Sequence, residues 1–319
     1  MTMIADAPAI EAVELDKVYP AEVHAVKGVS FSVAQGEAFG LLGPNGAGKS
    51  TTIGMLNTTV RPTSGHALMR GVDVAQDPIG TRARSSVVFQ DTVVDHPLTG
   101  RQNLQLHLRL WGKDDAAGRT RLAELSQLVG LSEYLDRPVA TYSGGQRRRM
   151  EIVRALASDP QVLFLDEPTV GLDTRVRHDL FDVLATLRER TGVTVLMTTH
   201  YLDEAERLCD RVAIVDGGRI VASDTPANLL RDLGDEVLEV RLETPDPAVA
   251  VLRSAGVAPE DILVIGTTLT VVLETHAADD LIALLRERSF VLRAVTTRRP
   301  TFDDVYLRLT GDRIGSDDH

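Results

Sequence analysis

Residues 43–51 read Gly43-Pro44-Asn45-Gly46-Ala47-Gly48-Lys49-Ser50-Thr51, a complete G-x-x-x-x-G-K-[ST] run. Its flanks matter as much as the run itself. Glu37-Ala38-Phe39-Gly40-Leu41-Leu42 has the length and apolarity of a buried strand, and Ser50-Thr51-Thr52-Ile53-Gly54-Met55-Leu56 can open a helix. A strand that reverses into a helix through three glycines points to an α/β fold with a phosphate-binding turn. Gly43, Gly46 and Gly48 let the backbone aim its N–H groups inward at phosphate oxygens. The helix N-terminus adds about half a positive charge at the same place. Lys49 can reach β- and γ-phosphates, and the Ser50 hydroxyl can join the shell of a Mg²⁺ ion.

The 319-residue length suits two domains, and an apolar share of 43% suits a sizeable core. A formal charge of −12 argues against a nucleic-acid partner and against electrostatic adhesion to an anionic membrane. Cys209 is the single cysteine, so no intramolecular disulfide forms and a reducing, cytoplasmic compartment fits. Its place at a helix end reads as a small core residue. The N-terminus lacks a basic start followed by an apolar run, and the longest apolar stretches fall far below the roughly 18 residues that span a bilayer.

Along the chain, residues 1–10 read as a tail. Alternation over 11–42 (Ala12-Val13-Glu14-Leu15, Val29-Ser30-Phe31-Ser32-Val33) predicts antiparallel strands. Strand-like pieces continue to Val87-Val88-Phe89-Gln90. Helical spacing takes over from about 99, with Leu104, Leu108 and Trp111, then Leu122, Leu125, Leu128 and Val129. Beyond 145, helices alternate with buried strands at 162–165, 193–197 and 212–215, the pattern of a parallel sheet. After Pro226 come a strand at 237–243, a helix at 248–255, strands at 262–265 and 269–274, a helix at 278–289, a strand at 290–297 and a short helix at 302–309. That β-α-β-β-α-β order predicts a small ferredoxin-like α+β domain over 226–311, with 312–319 as a loose tail.

Four further motifs follow the phosphate loop. Val162-Leu163-Phe164-Leu165-Asp166-Glu167 is an apolar strand ending in two carboxylates. Asp166 would meet Mg²⁺, directly or through water, and Glu167 would polarise an attacking water. Ser143-Gly144-Gly145-Gln146 before Arg147-Arg148-Arg149 offers a hydroxyl and bare N–H groups to an anion; in isolation it reads more readily as a helix N-cap. His200 ends the apolar run 193–199, where an imidazole can donate to a γ-phosphate oxygen. Gln90 ends a strand, where its amide can contact Mg²⁺ or water.

The order and spacing of these motifs over 11–225 resemble those of the ATP-binding cassette (ABC) ATPases. The resemblance implies a P-loop core with an antiparallel β part and a helical subdomain at about 91–145, together with ATP and Mg²⁺. Gln90 then resembles the Q-loop glutamine and Ser143–Gln146 the family signature, which contacts the ATP of a partner chain. Asp166 resembles the Walker B aspartate and Glu167 the catalytic glutamate. Gly171-Leu172-Asp173 resembles the D-loop and His200 the switch histidine. Tyr19 resembles the aromatic that stacks on adenine; its residue-level alternative is a strand aromatic in the core. Tyr142 departs from the family, which usually has Leu there. Glu167, neither Gln nor Asp, implies competence to hydrolyse ATP.

Membership would also imply a composite site. Two cassettes face head to tail, so this single cassette needs a homodimer or a second cassette chain. The ending Arg299-Pro300-Thr301-Phe302-Asp303-Asp304-Val305-Tyr306-Leu307-Arg308-Leu309-Thr310-Gly311 resembles that of the daunorubicin-resistance type of exporter ATPase. So do Asp95-His96-Pro97-Leu98-Thr99-Gly100 and Tyr201-Leu202-Asp203-Glu204-Ala205-Glu206. Such subunits energise export of drugs, antibiotics or lipids through a separate integral membrane permease, which would hold this chain peripherally on the inner face of the cell membrane. An importer ATPase and a non-transport ABC ATPase stand as alternatives. No long heptad region splits the cassette, and the cargo is not encoded here.

Overall fold

The computed structural model describes residues 7–273 and 276–311. The expected tail at 312–319 and most of the tail at 1–10 lie outside them. Among the described residues the chain divides into two compact units, 1–223 and 224–319.

In the first unit, β1 (Ile10–Tyr19) and β2 (Val23–Val33) pair antiparallel. Ala9, already bonded to the Val33 carbonyl at 2.8 Å, belongs to this sheet rather than to a tail. The short strand β3 (Ala38–Leu42) is buried along its whole length and leads into α1 (Lys49–Leu56). β4 (Ser64–Met69) and β5 (Val72–Asp73) then complete a four-stranded sheet in the order β2-β1-β4-β5. The helix α2 (Pro78–Arg84) follows, where the sequence pattern predicts only strand-like pieces. Asp77 caps it by accepting from Gly80 N at 2.9 Å, and a proline at the first turn costs no hydrogen bond.

β6 (Ser85–Val88) stops two residues short of Gln90. The helical segment holds α3 (Gly100–Leu110) and α4 (Ala116–Leu128), started by Thr99 and Asp115 caps, and leads to α5 (Gly144–Ala157). Leu104, Leu108, Leu122 and Leu125 are buried as their spacing predicts. β7 (Val162–Asp166), α6 (Thr174–Thr191), β8 (Thr194–Thr199), α7 (Leu202–Leu208), β9 (Arg211–Asp216) and β10 (Arg219–Asp224) finish the unit. The resulting six-stranded sheet runs β10-β9-β3-β8-β7-β6, with β9, β3, β8, β7 and β6 parallel. β3 and β8 are buried throughout: helices pack on the parallel sheet, and the antiparallel sheet adds cover, with Phe31 of β2 stacked on Phe39 of β3 at 5.2 Å. Cys209 is buried at the end of α7; a Cβ on Gly40 would stand 2.8 Å from its Sγ, so the close approach of strand and thiol depends on that glycine.

The second unit begins with α8 (Pro226–Arg231) and continues with β11 (Glu236–Arg241), α9 (Asp246–Ser254), β12 (Ile262–Ile265), β13 (Thr268–Leu273), α10 (Ala278–Glu287), β14 (Ala294–Arg298) and α11 (Phe302–Thr310). Its sheet order is β12-β13-β11-β14 with every neighbouring pair antiparallel. This is the ferredoxin-like arrangement. Leu238, Val240, Leu252, Leu269, Val271, Leu281 and Leu285 pack into one core.

Candidate functional site

The phosphate loop leaves the buried end of β3 and is pressed against its neighbours. A Cβ on Gly43 would meet the Val215 carbonyl oxygen at 2.2 Å, and one on Gly48 the Ala25 oxygen at 2.3 Å. Gly48 also has φ +96°, so both space and conformation demand glycine. Pro44 accepts from Ala47 N at 3.3 Å, tightening the turn, while Asn45 and Gly46 are exposed. The buried Lys49 curls back so that Nζ donates to Gly43 O at 2.8 Å and Pro44 O at 3.0 Å, and lies 3.3 Å from Glu167 Oε1. Burial pulls its pKa below the usual lysine value, and Glu167 offsets part of that. Tyr19, on β1, reaches Thr51 of α1 with its hydroxyl 3.5 Å from Oγ1, which places its ring beside the loop.

β7 brings two carboxylates to the same point. Ser50 Oγ and Thr198 Oγ1 both donate to Asp166 Oδ1, at 2.9 and 2.5 Å. Glu167 adopts φ +44°, a left-handed conformation that costs a non-glycine residue about 1–3 kcal/mol. Its backbone N donates to Thr198 Oγ1 at 3.0 Å, and its Oε2 lies 3.3 Å from His200 Nδ1. His200 and Lys49 hold the Glu167 carboxyl below the usual glutamate range although it is buried. That keeps it ionised, as a group that polarises water must be. His200 Nδ1 is buried and faces the Glu167 carboxylate at 3.3 Å, off the alignment of a hydrogen bond.

Ser50 and Asp166 are the residues placed to hold a metal. A hydroxyl and one carboxylate are hard oxygen ligands too few to cage an ion alone. They fit Mg²⁺, which is held by one or two carboxylates together with substrate phosphates and water.

The signature turn is built differently. Ser143 caps α5, accepting from Gln146 N at 3.2 Å, while Gln146 Oε1 accepts from Ser143 N at 3.0 Å. Ser143 and Gly144 are exposed; Gly145 is buried against Val176, whose Cγ1 would lie 2.4 Å from a Cβ there. Asp173 caps α6 through Val176 N at 3.0 Å, so signature and D-loop share this contact. Gln90 is exposed and lines a cavity of about 180 Å³ with Gly144, Arg147, Leu172 and others. The structure thus gathers Lys49, Ser50, Asp166, Glu167 and His200 in one cluster and sets Gln90 with the signature and D-loop. Tyr142 is buried, and its hydroxyl donates to Tyr134 O at 2.5 Å, which ties the turn to the segment after α4.

Several participants were not singled out by sequence reasoning. Thr198 joins both carboxylate residues yet looks like any threonine in an apolar strand. Arg148 passes as part of a basic run, but it is buried and bonded to backbone carbonyls on two loops. Glu204 is buried between Thr169 and Thr199, which donates to Oε2 at 2.6 Å.

Comparison with known proteins agrees with this geometry. The ABC transporter family model matches residues 26–170. The daunorubicin resistance ATP-binding protein DrrA2 of Streptomyces coeruleorubidus is 40% identical over 313 residues, 97% of this chain and 97% of that protein. This chain is an ABC transporter ATP-binding protein. The linearmycin resistance ATP-binding protein LnrL of Bacillus subtilis (strain 168) is 34% identical over 90% of this chain and 93% of its own length. A solved ATP-binding subunit of an ABC transporter superposes with a TM-score of 0.63 at 31% identity, covering 71% of this chain and 93% of that one. As an ABC ATPase the chain binds and hydrolyses ATP, and it works with a membrane permease. Among its described residues no helix is long and apolar enough to cross a membrane itself.

Proposed function

We propose that this chain is the MgATP-hydrolysing subunit of an exporter that moves a drug, antibiotic or lipid through a separate permease. In this reading Ser50 and Asp166 hold Mg²⁺, Lys49 and His200 contact the γ-phosphate, and Glu167 polarises the attacking water; Gln90, set beside the signature in the free chain, reaches the ion only when nucleotide binds. Ser143, Gly144, Gly145 and Gln146 complete the site of a second copy, with Asp173 at the seam. The chain then sits on the inner face of the cell membrane through the permease.

The observation that carries the coupling half of this reading is a groove of about 340 Å³ lined by Val93, Val94, Leu106, His107, Leu110 and Arg154. Leu110 is 78% and Val93 51% exposed, an apolar surface fit for a permease loop. The names of full-length relatives, both resistance proteins, support export over import. The test is Leu110→Glu in vesicles containing the permease. Export and permease-stimulated turnover should fall together while the isolated chain hydrolyses ATP at its normal rate. Unchanged export would place the permease elsewhere.

A further inference from the structure

Of the three arginines after the signature turn, Arg148 points into the protein and is 6% exposed. Its guanidinium is engaged on every side. Nε donates to Pro168 O at 2.5 Å, and Nη1 to Phe89 O at 2.5 Å and to Glu151 Oε2 at 3.1 Å. Nη2 donates to Glu167 O at 3.2 Å and Asp166 O at 3.4 Å. Glu151, equally buried, accepts from Val93 N at 3.0 Å through its other oxygen. One ion pair on α5 therefore grips two loops: residues 89–93, which contain Gln90, and residues 166–168, which contain Glu167.

The grip falls on a backbone that needs it. Glu167 is left-handed at φ +44°, a conformation a non-glycine residue keeps only when its surroundings impose it. Its N–H is taken by Thr198 Oγ1 at 3.0 Å and its carbonyl by Arg148. We propose that Arg148 is a positioning residue: its guanidinium fixes the left-handed backbone of Glu167, and hence the direction of that carboxylate, to the same body as the signature helix and the Gln90 loop. Docking of the signature on a partner's nucleotide is then transmitted to this chain's own catalytic glutamate. An arginine is required because a planar fork of five N–H donors serves carbonyls on both loops at once. A lysine keeps the charge beside Glu151 but has one point of attachment.

The inference rests on Glu167 being the carboxylate that activates water. A purely structural Arg–Glu pair behaves differently, since neutral partners of similar size replace such a pair with little functional loss. The test compares R148K, R148M, R148M/E151Q and E167Q as full chains. R148M alone strands the Glu151 charge and can fail to fold; the double variant removes both charges and keeps an acceptor for Val93 N. Expected is recovery of the thermal midpoint in the double variant, with unchanged binding of a fluorescent ATP analogue. In R148K and in the double variant kcat should nevertheless fall about 100-fold at unaltered KM, the scale of a misplaced reacting group. Wild-type kcat in the double variant, or a loss confined to KM, would overturn the assignment. Wild-type turnover by E167Q would instead remove the reading of Glu167 on which the assignment stands, and does so without reference to Arg148.

Discussion

Ser50 Oγ lies 2.9 Å from Asp166 Oδ1 although 116 residues separate them in sequence. That hydrogen bond joins the first turn of α1 to the last residue of β7. In the proposed function this is the pair that holds the magnesium ion. Thr198 locks the arrangement from the next strand by bonding Asp166 and receiving the Glu167 N–H.

Lys49→Ala removes the one cation that lies both in the loop and beside Glu167 Oε1. Turnover in MgATP should drop by about 10²–10³-fold, the usual cost of losing a donor aimed at developing charge. Steady-state phosphate release measures it. A variant as fast as wild type would contradict the placement of Lys49.

Gly145→Ala should destabilise the first unit by about 1–3 kcal/mol, because its Cβ would stand 2.4 Å from Val176 Cγ1 and the β-branched Val176 must leave its rotamer or move. Val176→Ala removes that methyl group and leaves Val176 Cβ at 3.7 Å, an ordinary contact. Denaturant midpoints of the two single variants and the double variant form a cycle. The double variant should be more stable than Gly145→Ala alone; simple additivity would refute the contact between signature and D-loop helix.

Burial and the neighbouring Arg154 push the His107 pKa down to about 4 from an ordinary 6.5. Its Nε2 has no hydrogen-bond partner among the described residues. The folded chain therefore binds fewer protons than the unfolded chain between those values. Stability from this site is fully present above pH 6.5 and is lost as pH falls toward 4, by roughly 3 kcal/mol. His107→Gln should flatten the stability-against-pH curve across that window when unfolding is followed at fixed pH steps. An unchanged slope would show that His107 is not the titrating group.

The clearest parts of the sequence were those where backbone chemistry leaves few options. Gly43 and Gly48 stand where any side chain would strike a carbonyl oxygen, and Asp166-Glu167 ends an apolar run that can only be a buried strand. The second unit is legible as a β-α-β-β-α-β succession of segments; its β13, buried at five successive positions, carries no alternation to read. Less legible was α2, since seven residues with one large apolar side chain carry no periodic signal and only Asp77-Pro78 marks its start. Arg148 was hidden for a different reason. Arg147-Arg148-Arg149 has no sequence mark that says which of three adjacent arginines turns inward; tertiary packing decides it. Gln90 could be placed at a strand end but not paired, because its loop neighbours come from residues 144–172.

The two halves of the proposed shared site can be trapped directly. Glu167→Gln should bind ATP without hydrolysing it and hold two chains closed. Cys209→Ala removes the only native thiol and avoids burying a hydroxyl in an apolar place. On that background one cysteine replaces the exposed Asn45 of the phosphate loop and another the exposed Thr141 before the signature. The account predicts a cross-link between chains that forms with ATP, is absent without nucleotide and is lost when Gly144→Asp sets a carboxylate against the γ-phosphate. Cross-links that form equally without nucleotide, or only within one chain, would contradict it.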